Sequence, residues 1–231
     1  MKLADKKADR GFVAKGDEIN YAKRSNDELI DLLKSRIAIE RTIGARLLGS
    51  RGVVSVEYLL MALKTEKKLY PRLEICCSLA RIGEPSIDGL IQLLGVIGNN
   101  QHQTPSEEPF LKVSYPLPRD LAARTIIRIG HAALPVLCGV LNEDHPAKIS
   151  EAIDAIGFIC SKGGADQYLK TLMACYNKFK NNDLLRWKLI RAMCSFPESL
   201  TFLEKHLSVE NNPAILQEIK RSIRIINNNK R

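Results

Sequence analysis

Apolar residues along the chain form paired helical stripes, and one such pair is repeated at a constant offset. Residues 71–94 superimpose on residues 118–141 without a gap. The aligned apolar positions are Ile75 with Ala122, Leu79 with Ile126, Ile87 with Leu134, Leu90 with Leu137 and Leu94 with Leu141. The flanking blocks also align, Pro71-Arg72 with Pro118-Arg119 and Arg81-Ile82-Gly83 with Arg128-Ile129-Gly130. An alignment over this length predicts a repeated structural unit.

The spacing of the stripes predicts two antiparallel helices in each repeat. Apolar residues three or four positions apart lie on one face of a helix with about 3.6 residues per turn. A glycine after the first stripe suits a left-handed cap, so Gly83 and Gly130 are each expected to end a helix. Five apolar residues of the two copies are expected to be buried: Ile82, Leu90, Ile126, Ile129 and Leu137. Because one hairpin cannot bury both of its stripes, the hairpins are expected to stack on one another.

Weaker copies of the pattern flank the clear pair, with Gly49 and Gly157 in the place of the helix-ending glycine. Ser25 and Glu28 have the spacing of a capping box that opens a helix. Near the other end, Asn212-Pro213 opens a helix with a predicted buried stripe and a basic face directed at water. The stripe is Leu216, Ile219, Ile223 and Ile226, and the basic residues are Lys220, Arg221 and Arg224. The predicted fold class is therefore all-α, an α-solenoid of about five to six helical hairpins.

Two segments depart from the repeat. Residues 1–23 are charged, with little apolar periodicity, and predict a flexible tail before a repeat domain over residues 24–231. Residues 98–117 form a polar, proline-containing insertion. Because this insertion offers no stripe to the core, we expect it to be mobile around Gln101 to Glu108 and dispensable for folding. Phe110 and Tyr115 at its far end either pin it to the helices or are presented to a partner.

The composition indicates a folded protein and shows no catalytic motif. The hydrophobic content is 45%, yet no apolar run reaches the roughly 18 residues needed to cross a bilayer, so we expect a cytoplasmic protein without a membrane partner. The six cysteines form no Cys-x-x-Cys pair and are expected to be buried thiols. The four histidines are scattered, and we find no phosphate-binding glycine loop or nucleophile elbow. We therefore expect no metal, no cofactor and no catalytic residue, and we assign Trp187 to the core or to an interface.

The residues from Pro118 to Gly130, followed by Leu134-Pro135-Val136-Leu137, resemble the short HEAT repeats of bacterial and archaeal proteins related to phycobilin lyase subunits. The resemblance extends over roughly residues 25–227. It implies an ARM-like superhelix whose Arg-Ile-Gly helices line the concave side. HEAT proteins mostly serve as scaffolds or adaptors, and a minority act on bilins or on damaged DNA bases. The resemblance therefore implies the fold more firmly than any single activity.

The charge of the chain keeps more than one kind of partner open. The net charge is +9, and clustered arginine attracts phosphate or acidic protein surfaces. Five arginines on neighbouring repeats are candidates for a basic strip on the concave side: Arg72, Arg81, Arg119, Arg124 and Arg128. The function that we expect is a non-catalytic scaffold that binds a protein partner along this side. The alternatives are a nucleic-acid-binding solenoid that uses the basic strip and, further, a lyase-type enzyme subunit.

Overall fold

The computed structural model describes residues 7–108 and 110–229. Helix, counting α and 3-10 helix together, accounts for 66% of these residues, and no strand occurs among them. The chain divides into two compact units, which we call unit 1 (Met1–Leu93) and unit 2 (Leu94–Arg231). The prediction of an all-α fold is therefore confirmed.

Unit 1 consists of helices that pack in two layers. Its helices are α1 (Asn26–Leu33), α2 (Ala38–Gly49), α3 (Val56–Thr65), α4 (Leu69–Ile82) and α5 (Ile87–Ile91). The inner layer is formed by α2 and α4, which pack against each other most extensively, while α1 packs on α2 and α3 packs on α4. The predicted capping box is present, because the Ser25 side chain accepts from the Glu28 N–H and Glu28 accepts from the Ser25 N–H.

Unit 2 continues the same arrangement of alternating helices. Its helices are α6 (Leu121–Ile129), α7 (Leu134–Val140), α8 (Pro146–Cys160), α9 (Leu169–Lys178), α10 (Asp183–Met193), α11 (Leu200–Leu207) and α12 (Pro213–Asn229). The inner layer is α6, α8, α10 and α12, each packed on the next, and the outer helices α7, α9 and α11 pack on α8, α10 and α12. Stacking of consecutive hairpins within each unit is the arrangement of a helical repeat.

The aligned stripes of the two clear copies form the core. Leu79 and Ile126 are 0% exposed, as are Leu90 and Leu137. Ile82 and Ile129, however, are only partly buried, so the prediction of full burial is wrong for this pair. Each is the last residue of its α-helix, directly before the glycine that ends it, so it lies at the end of the buried stripe and not within it.

The four glycines of the pattern have two different roles. Gly83 and Gly130 end α4 and α6 with positive φ of +84° and +87°, so their predicted helix-ending role is confirmed. Their ψ angles of −136° and −142° differ from the left-handed helical cap that was expected. Gly49 is instead the last residue of α2, where a Cβ would collide with Ser78 of α4. Gly157 lies inside α8, and a Cβ there would overlap the ring of Tyr115. The latter two are glycines because another residue packs against the backbone.

The N-terminal segment before α1 is packed where the structure describes it. Thr42 of α2 donates its hydroxyl to the carbonyl oxygen of Gly11 at 2.7 Å, and Val13 is buried. Arg46 donates to the carbonyl oxygens of Val13 and Ala14, each at 3.1 Å. The prediction of a flexible tail is therefore wrong for residues 11–14, because α2 supplies donors to their backbone. The first six residues of the predicted tail lie outside the described residues.

The stripe of the last helix is shifted from the predicted one. Ile215, Ile219 and Ile226 are buried, whereas Leu216 and Ile223 are only partly buried. Arg221, which was expected to face water, is 6% exposed and belongs to the inner layer. The prediction assumed that every basic residue of α12 would be solvated, and Arg221 is instead neutralised by a buried carboxylate.

Candidate functional site

Six charged side chains are buried on three consecutive inner helices of unit 2. We call this set the buried ion network: Glu151 and Asp154 on α8, Lys188 and Arg191 on α10, and Glu218 and Arg221 on α12. None of the six is more than 6% exposed. Each helix contributes two residues three positions apart, which places both on one face of the helix. The inner layer of unit 2 therefore presents a continuous set of charges across α8, α10 and α12.

Lys188 lies between two carboxylates at one end of the buried ion network. Its Nζ is 2.8 Å from Glu151 Oε1 and 2.7 Å from Asp154 Oδ2, and it donates to the carbonyl oxygen of Ser150 at 3.3 Å. Burial raises the pKa of Glu151, and the charge of Lys188 opposes this increase. Removing one member would leave the remaining charges buried without compensation, which is strongly destabilising.

Glu218 holds two guanidinium groups at the other end of the buried ion network. It is 2.6 Å from Arg221 Nη1 and 3.2 Å from Arg191 Nη2. The guanidinium of Arg191 also lies over the ring of Trp187, 3.7 Å from its centroid. Trp187 was predicted to lie in the core or at an interface. It is 2% exposed and lies in the core, in contact with the buried ion network.

The insertion crosses the inner helices of unit 2 as a strap, which we define as residues 99–117. Gln101 Nε2 donates to Asp120 Oδ2 at 2.8 Å, and the ring of His102 packs edge-on against Trp187 at 5.0 Å. Arg221 donates to the carbonyl oxygen of Lys112 at 3.1 Å and lies 5.0 Å from the ring centroid of Phe110. The strap thus contacts α10 and α12, and the prediction of mobility is wrong for Gln101 and His102, which are held by these contacts. That the insertion is dispensable for folding stays a prediction.

Tyr115 anchors the far end of the strap. Its ring is 9% exposed and meets Phe158 edge-on, at a centroid distance of 6.3 Å, above the backbone of Gly157. Two roles were predicted for Tyr115. The structure agrees with the first, in which Tyr115 pins the insertion to the helices. The second, presentation of Tyr115 to a partner, is wrong because the ring is buried. Phe110 is partly buried beside Arg221. In the sequence, Gly157 inside an otherwise regular helix was a sign that another side chain packs closely against α8.

A cavity of about 620 Å³ lies between the strap and the inner helices of unit 2. Four of the predicted binding residues line it: Phe110, Tyr115, Arg119 and Arg124. Further lining residues include His102, Glu108, Lys112, Asp154 and Arg191. Arg124 donates Nε to the carbonyl oxygen of Pro118 at 2.5 Å, and Arg119 is exposed. We call this space the strap cavity.

The strap cavity is strongly polarised by the groups around it. Burial, together with the positive charges of Arg119 and Lys188, lowers the pKa of His102 to about 4. His102 is therefore neutral at pH 7 and adds no charge to the cavity. Three buried polar atoms of lining residues have no hydrogen-bond partner among the described residues: Tyr115 Oη, Asp154 Oδ1 and Arg191 Nε.

The other predicted arginines are separated from this site. In unit 1, Arg72 donates Nε to the carbonyl oxygen of Glu66 at 3.0 Å, and Arg81, which is half exposed, is 3.9 Å from Glu74. In unit 2, Arg128 is exposed near the end of α6 and does not line the strap cavity. The structure therefore brings only Arg119 and Arg124 of the five to one cavity.

Unit 1 has a second candidate site, an apolar groove of about 600 Å³ between α1 and α3. Ile30, Leu33, Tyr58, Met61 and Ala62 supply its apolar wall. Tyr58 and Met61 remain 42% and 60% exposed. Large apolar side chains that stay exposed side by side are typical of an interaction surface. We call this space the unit 1 groove.

A rigid ion pair and a set of lysines border the unit 1 groove. Arg41 binds Glu66 through both Nε and Nη2, at 2.6 and 3.1 Å, and Glu66 also accepts from the N–H groups of Lys67 and Lys68. Burial alone would raise the pKa of Glu66, but the bonds from Arg41 and Lys68 outweigh it and lower the pKa. The ammonium groups of Lys67 and Lys68 have no ion-pair partner among the described residues.

Metal-ligand clusters, membrane-spanning helices and reactive thiols are three further features by which a functional site can be recognised. No group of three or more His, Cys, Asp or Glu side chains there could hold a metal ion. No single described helix has both the length and the apolar character to cross a membrane, although α6 and the stretch His131–Val140 meet the criteria as a pair bent by 114°. Burial raises the pKa of the Cys138 and Cys194 thiols to about 11, which disfavours the reactive thiolate.

No protein-family model matches the chain, and no curated protein matches it. Among solved structures it is similar to crystal structures of three engineered proteins from the Northeast Structural Genomics Consortium, each at 17% identity. Two have a TM-score of 0.38 over 89% of this chain and 97% or 99% of theirs. The third has a TM-score of 0.40 over 96% of this chain and 62% of that chain. Likeness of this degree carries no statement about function.

Proposed function

We propose that the chain is a non-catalytic, HEAT-like scaffold that binds a partner protein, and that the unit 1 groove holds a helix of this partner. The observation that supports the proposal is the unit 1 groove itself, where Tyr58 and Met61 stay exposed beside Ile30 and Leu33. An amphipathic helix can cover such a groove with apolar residues at positions i, i+3 or i+4 and i+7. Covering exposed apolar side chains removes them from water and stabilises the complex.

The charge at the border of the unit 1 groove selects the kind of helix. Lys34, Lys67 and Lys68 line the groove, while the carboxylate of Glu66 is already bound by Arg41. Lys34 has only a solvent-exposed pair with Asp31. A partner helix with glutamate and aspartate beside its apolar stripe would therefore meet complementary charge. We accordingly propose an acidic amphipathic helix as the occupant.

This proposal differs in one respect from the expectation drawn from the sequence. The partner was expected along the side of the Arg-Ile-Gly helices, whereas the unit 1 groove lies between α1 and α3 of the other layer. In unit 2 the strap already covers inner helices through Tyr115 and His102. The unit 1 groove is an outer-layer surface whose exposed apolar residues are open to a protein partner.

A designed peptide provides the direct test. An amphipathic helix of about 18 residues, with leucines on one face and glutamates on the other, is expected to bind, and the same peptide with lysines in place of glutamates is expected to bind far more weakly. Binding is measured by fluorescence anisotropy at two salt concentrations. Equal affinity for both peptides, or for a scrambled sequence, contradicts the proposal.

A variant in the unit 1 groove and a matched control locate the binding surface. Met61→Glu places a carboxylate on the apolar wall and should lower the affinity for the acidic peptide about tenfold or more. Val53→Glu makes the same change at an equally exposed residue outside the groove, 61% against 60% exposed, and should leave affinity unchanged. Equal losses in the two variants would show a general charge effect and contradict binding in the groove.

Photo-crosslinking from position 61 in native cell extracts identifies the class of partner. The proposal requires a crosslinked peptide that maps to an amphipathic helix with an acidic face. A crosslinked species destroyed by nuclease would favour the nucleic-acid alternative instead. That alternative has weaker support, because Arg72, Arg81 and Arg124 make contacts within the chain.

A further inference from the structure

We propose that the strap cavity is a binding site for a small phosphate monoester that carries hydroxyl groups. The site lies wholly in unit 2 and is independent of the unit 1 groove. Its volume of about 620 Å³ is within the range of small-molecule pockets, roughly 300 to 1,000 Å³. The lining of the strap cavity has three features that suit such a ligand: surplus positive charge, buried polar atoms without partners, and aromatic walls.

The first feature is cationic side chains without carboxylate partners. Lys112, Arg119 and Arg124 line the strap cavity, and none of them forms an ion pair with a described residue. The lining also contains two carboxylates, Glu108 and Asp154, of which Asp154 is held by Lys188. The lining is therefore net positive. Guanidinium groups match the oxygens of phosphate in a two-pronged geometry, and a dianionic monoester gains more from several cations than a carboxylate does.

The second feature is the set of buried polar atoms left without partners. Arg191 Nε and Tyr115 Oη can both donate a hydrogen bond, and both residues are at least nine-tenths buried. Asp154 Oδ1 is an acceptor on a residue that is 5% exposed. Unsatisfied buried groups are unfavourable in a folded protein. None of the three atoms is open to a water-sized molecule in this structure. A ligand with anionic oxygens for the two donors and a hydroxyl for Asp154 would satisfy all three after a small outward shift of the strap.

The third feature is the wall formed by the strap. Phe110 and Tyr115 place aromatic rings beside the cations, and His102 is neutral because its pKa is lowered to about 4. Such walls suit the carbon skeleton of an ester and leave the charged lining to hold the phosphate. Because the strap supplies part of the lining, a bound ligand would connect it to α6, α8 and α10 and should stabilise its closed position.

Binding is tested by calorimetry and by thermal unfolding of the whole chain. The probes are glycerol phosphate, ribose phosphate and adenosine monophosphate, with glycerol, ribose and adenosine as the matched compounds that lack phosphate. At least one phosphate ester is expected to bind and raise the melting temperature, while its matched compound does not. Absence of binding by all three esters at about 10 mM overturns the proposal.

Variants then assign the binding to the strap cavity. Arg119→Gln and Arg124→Gln should each lower the affinity for the ester about tenfold, because each removes a charge-assisted contact. Lys170→Gln is the matched control, since Lys170 is exposed on α9 and outside the cavity lining. Unchanged affinity in the Arg119 and Arg124 variants, with unfolding curves that show intact protein, overturns the assignment.

Competing anions separate a built site from general charge attraction. Inorganic phosphate should bind more weakly than the ester, because it cannot reach both the cations and Asp154 with a hydroxyl. Equal affinity for sulfate, inorganic phosphate and the ester would mean an adventitious ion only, and would overturn the proposal. Tighter binding of a single-stranded oligonucleotide, lost in the Arg119→Gln and Arg124→Gln variants, would identify a nucleic-acid backbone as the phosphate source and would also overturn it.

Discussion

The two clear copies of the repeat share a core but differ at the start of their inner helix. In the first copy, Leu73 lies in the first turns of α4 and is 44% exposed. At the aligned position in the second copy, Asp120 caps α6 and is fully buried. Asp120 accepts hydrogen bonds from the Ala123 N–H at 2.8 Å, the Gly95 N–H at 3.1 Å and Gln101 at 2.8 Å. The residue at this alignment position therefore faces solvent in the first copy, whereas in the second copy it is buried and holds the strap.

The arginines of the two copies differ for the same reason. Arg72 is held by the carbonyl oxygen of Glu66 just before its own helix. Its counterpart Arg119 follows the strap, has no ion-pair partner among the described residues, and lines the strap cavity. An inserted segment upstream of a repeat thus changes what the aligned residues contact while the buried stripe is unchanged. The two units also differ in charge, because unit 2 contains the buried ion network, whereas each described ion pair of unit 1 has at least one partly exposed side chain.

The largest effect is expected from breaking the buried ion network. Lys188→Ala should lower the free energy of unfolding of unit 2 by about 3–5 kcal/mol, because Glu151 and Asp154 would remain buried without their cation. Trp187 is the chain's one tryptophan and lies in unit 2, so its fluorescence in a denaturant titration follows this unit. Lys170→Ala is the control, since Lys170 is exposed on α9 of the same unit and its removal should change stability by about 0.5 kcal/mol or less.

A second pair of variants separates loss of charge from loss of packing in the buried ion network. Lys188→Met with Glu151→Gln and Asp154→Asn removes the lysine and both carboxylates together, and should recover a large part of the stability that Lys188→Ala loses. If Lys188→Ala changes stability by less than about 1 kcal/mol, the network is not a stabilising feature of unit 2.

An intermediate effect is expected at the position that differs between the two copies. Asp120→Ala should destabilise unit 2 by about 2–4 kcal/mol, because it removes a helix cap and leaves the N–H of Gly95 and the amide of Gln101 without their acceptor. Leu73→Ala, the aligned change in unit 1, should cost less than about 1 kcal/mol, since the side chain is half exposed. Hydrogen exchange measured by mass spectrometry reports the two units separately. Similar losses in both copies would contradict the comparison.

The last effect is confined to acid conditions and is expected from protonation of His102 in the strap. The pKa of His102 is lowered to about 4 by burial and by the charge of Arg119, whereas an unfolded histidine titrates near about 6.5. Between these values the unfolded state binds the additional proton. The contribution of His102 is therefore complete above pH 6.5 and is lost as the pH falls to 4.

The same prediction requires that His102→Gln flatten the dependence of stability on pH in this window. The measurement is the midpoint of unfolding, followed by Trp187 fluorescence between pH 6.5 and 4.5. Carboxylates with lowered pKa, such as Glu66, lose their contribution mainly below this window and give a common background. An unchanged slope in the variant would contradict the placement of His102 against Trp187.

The sequence by itself determined the repeat, its helices and its buried stripe. Apolar periodicity is a local property of a sequence. The alignment of Leu79 with Ile126 and of Gly83 with Gly130 shows that the same periodicity occurs in two complete hairpins. The ends of both helices at these glycines and the burial of both aligned apolar residues agree with that prediction. The candidate arginines Arg119 and Arg124 and the insertion residues Phe110 and Tyr115 were also identified from the sequence, although not as parts of one cavity.

Only the tertiary structure decided which polar residues are buried and what the insertion contacts. Charged residues three positions apart look the same in a sequence whether they face water or a neighbouring helix, and Arg221 was assigned to water for this reason. Stacking of α8, α10 and α12 brings Glu151, Lys188 and Glu218 into one network although 67 residues separate the first from the last. Their burial depends on partners that are distant in the chain, and local periodicity contains no information about such partners.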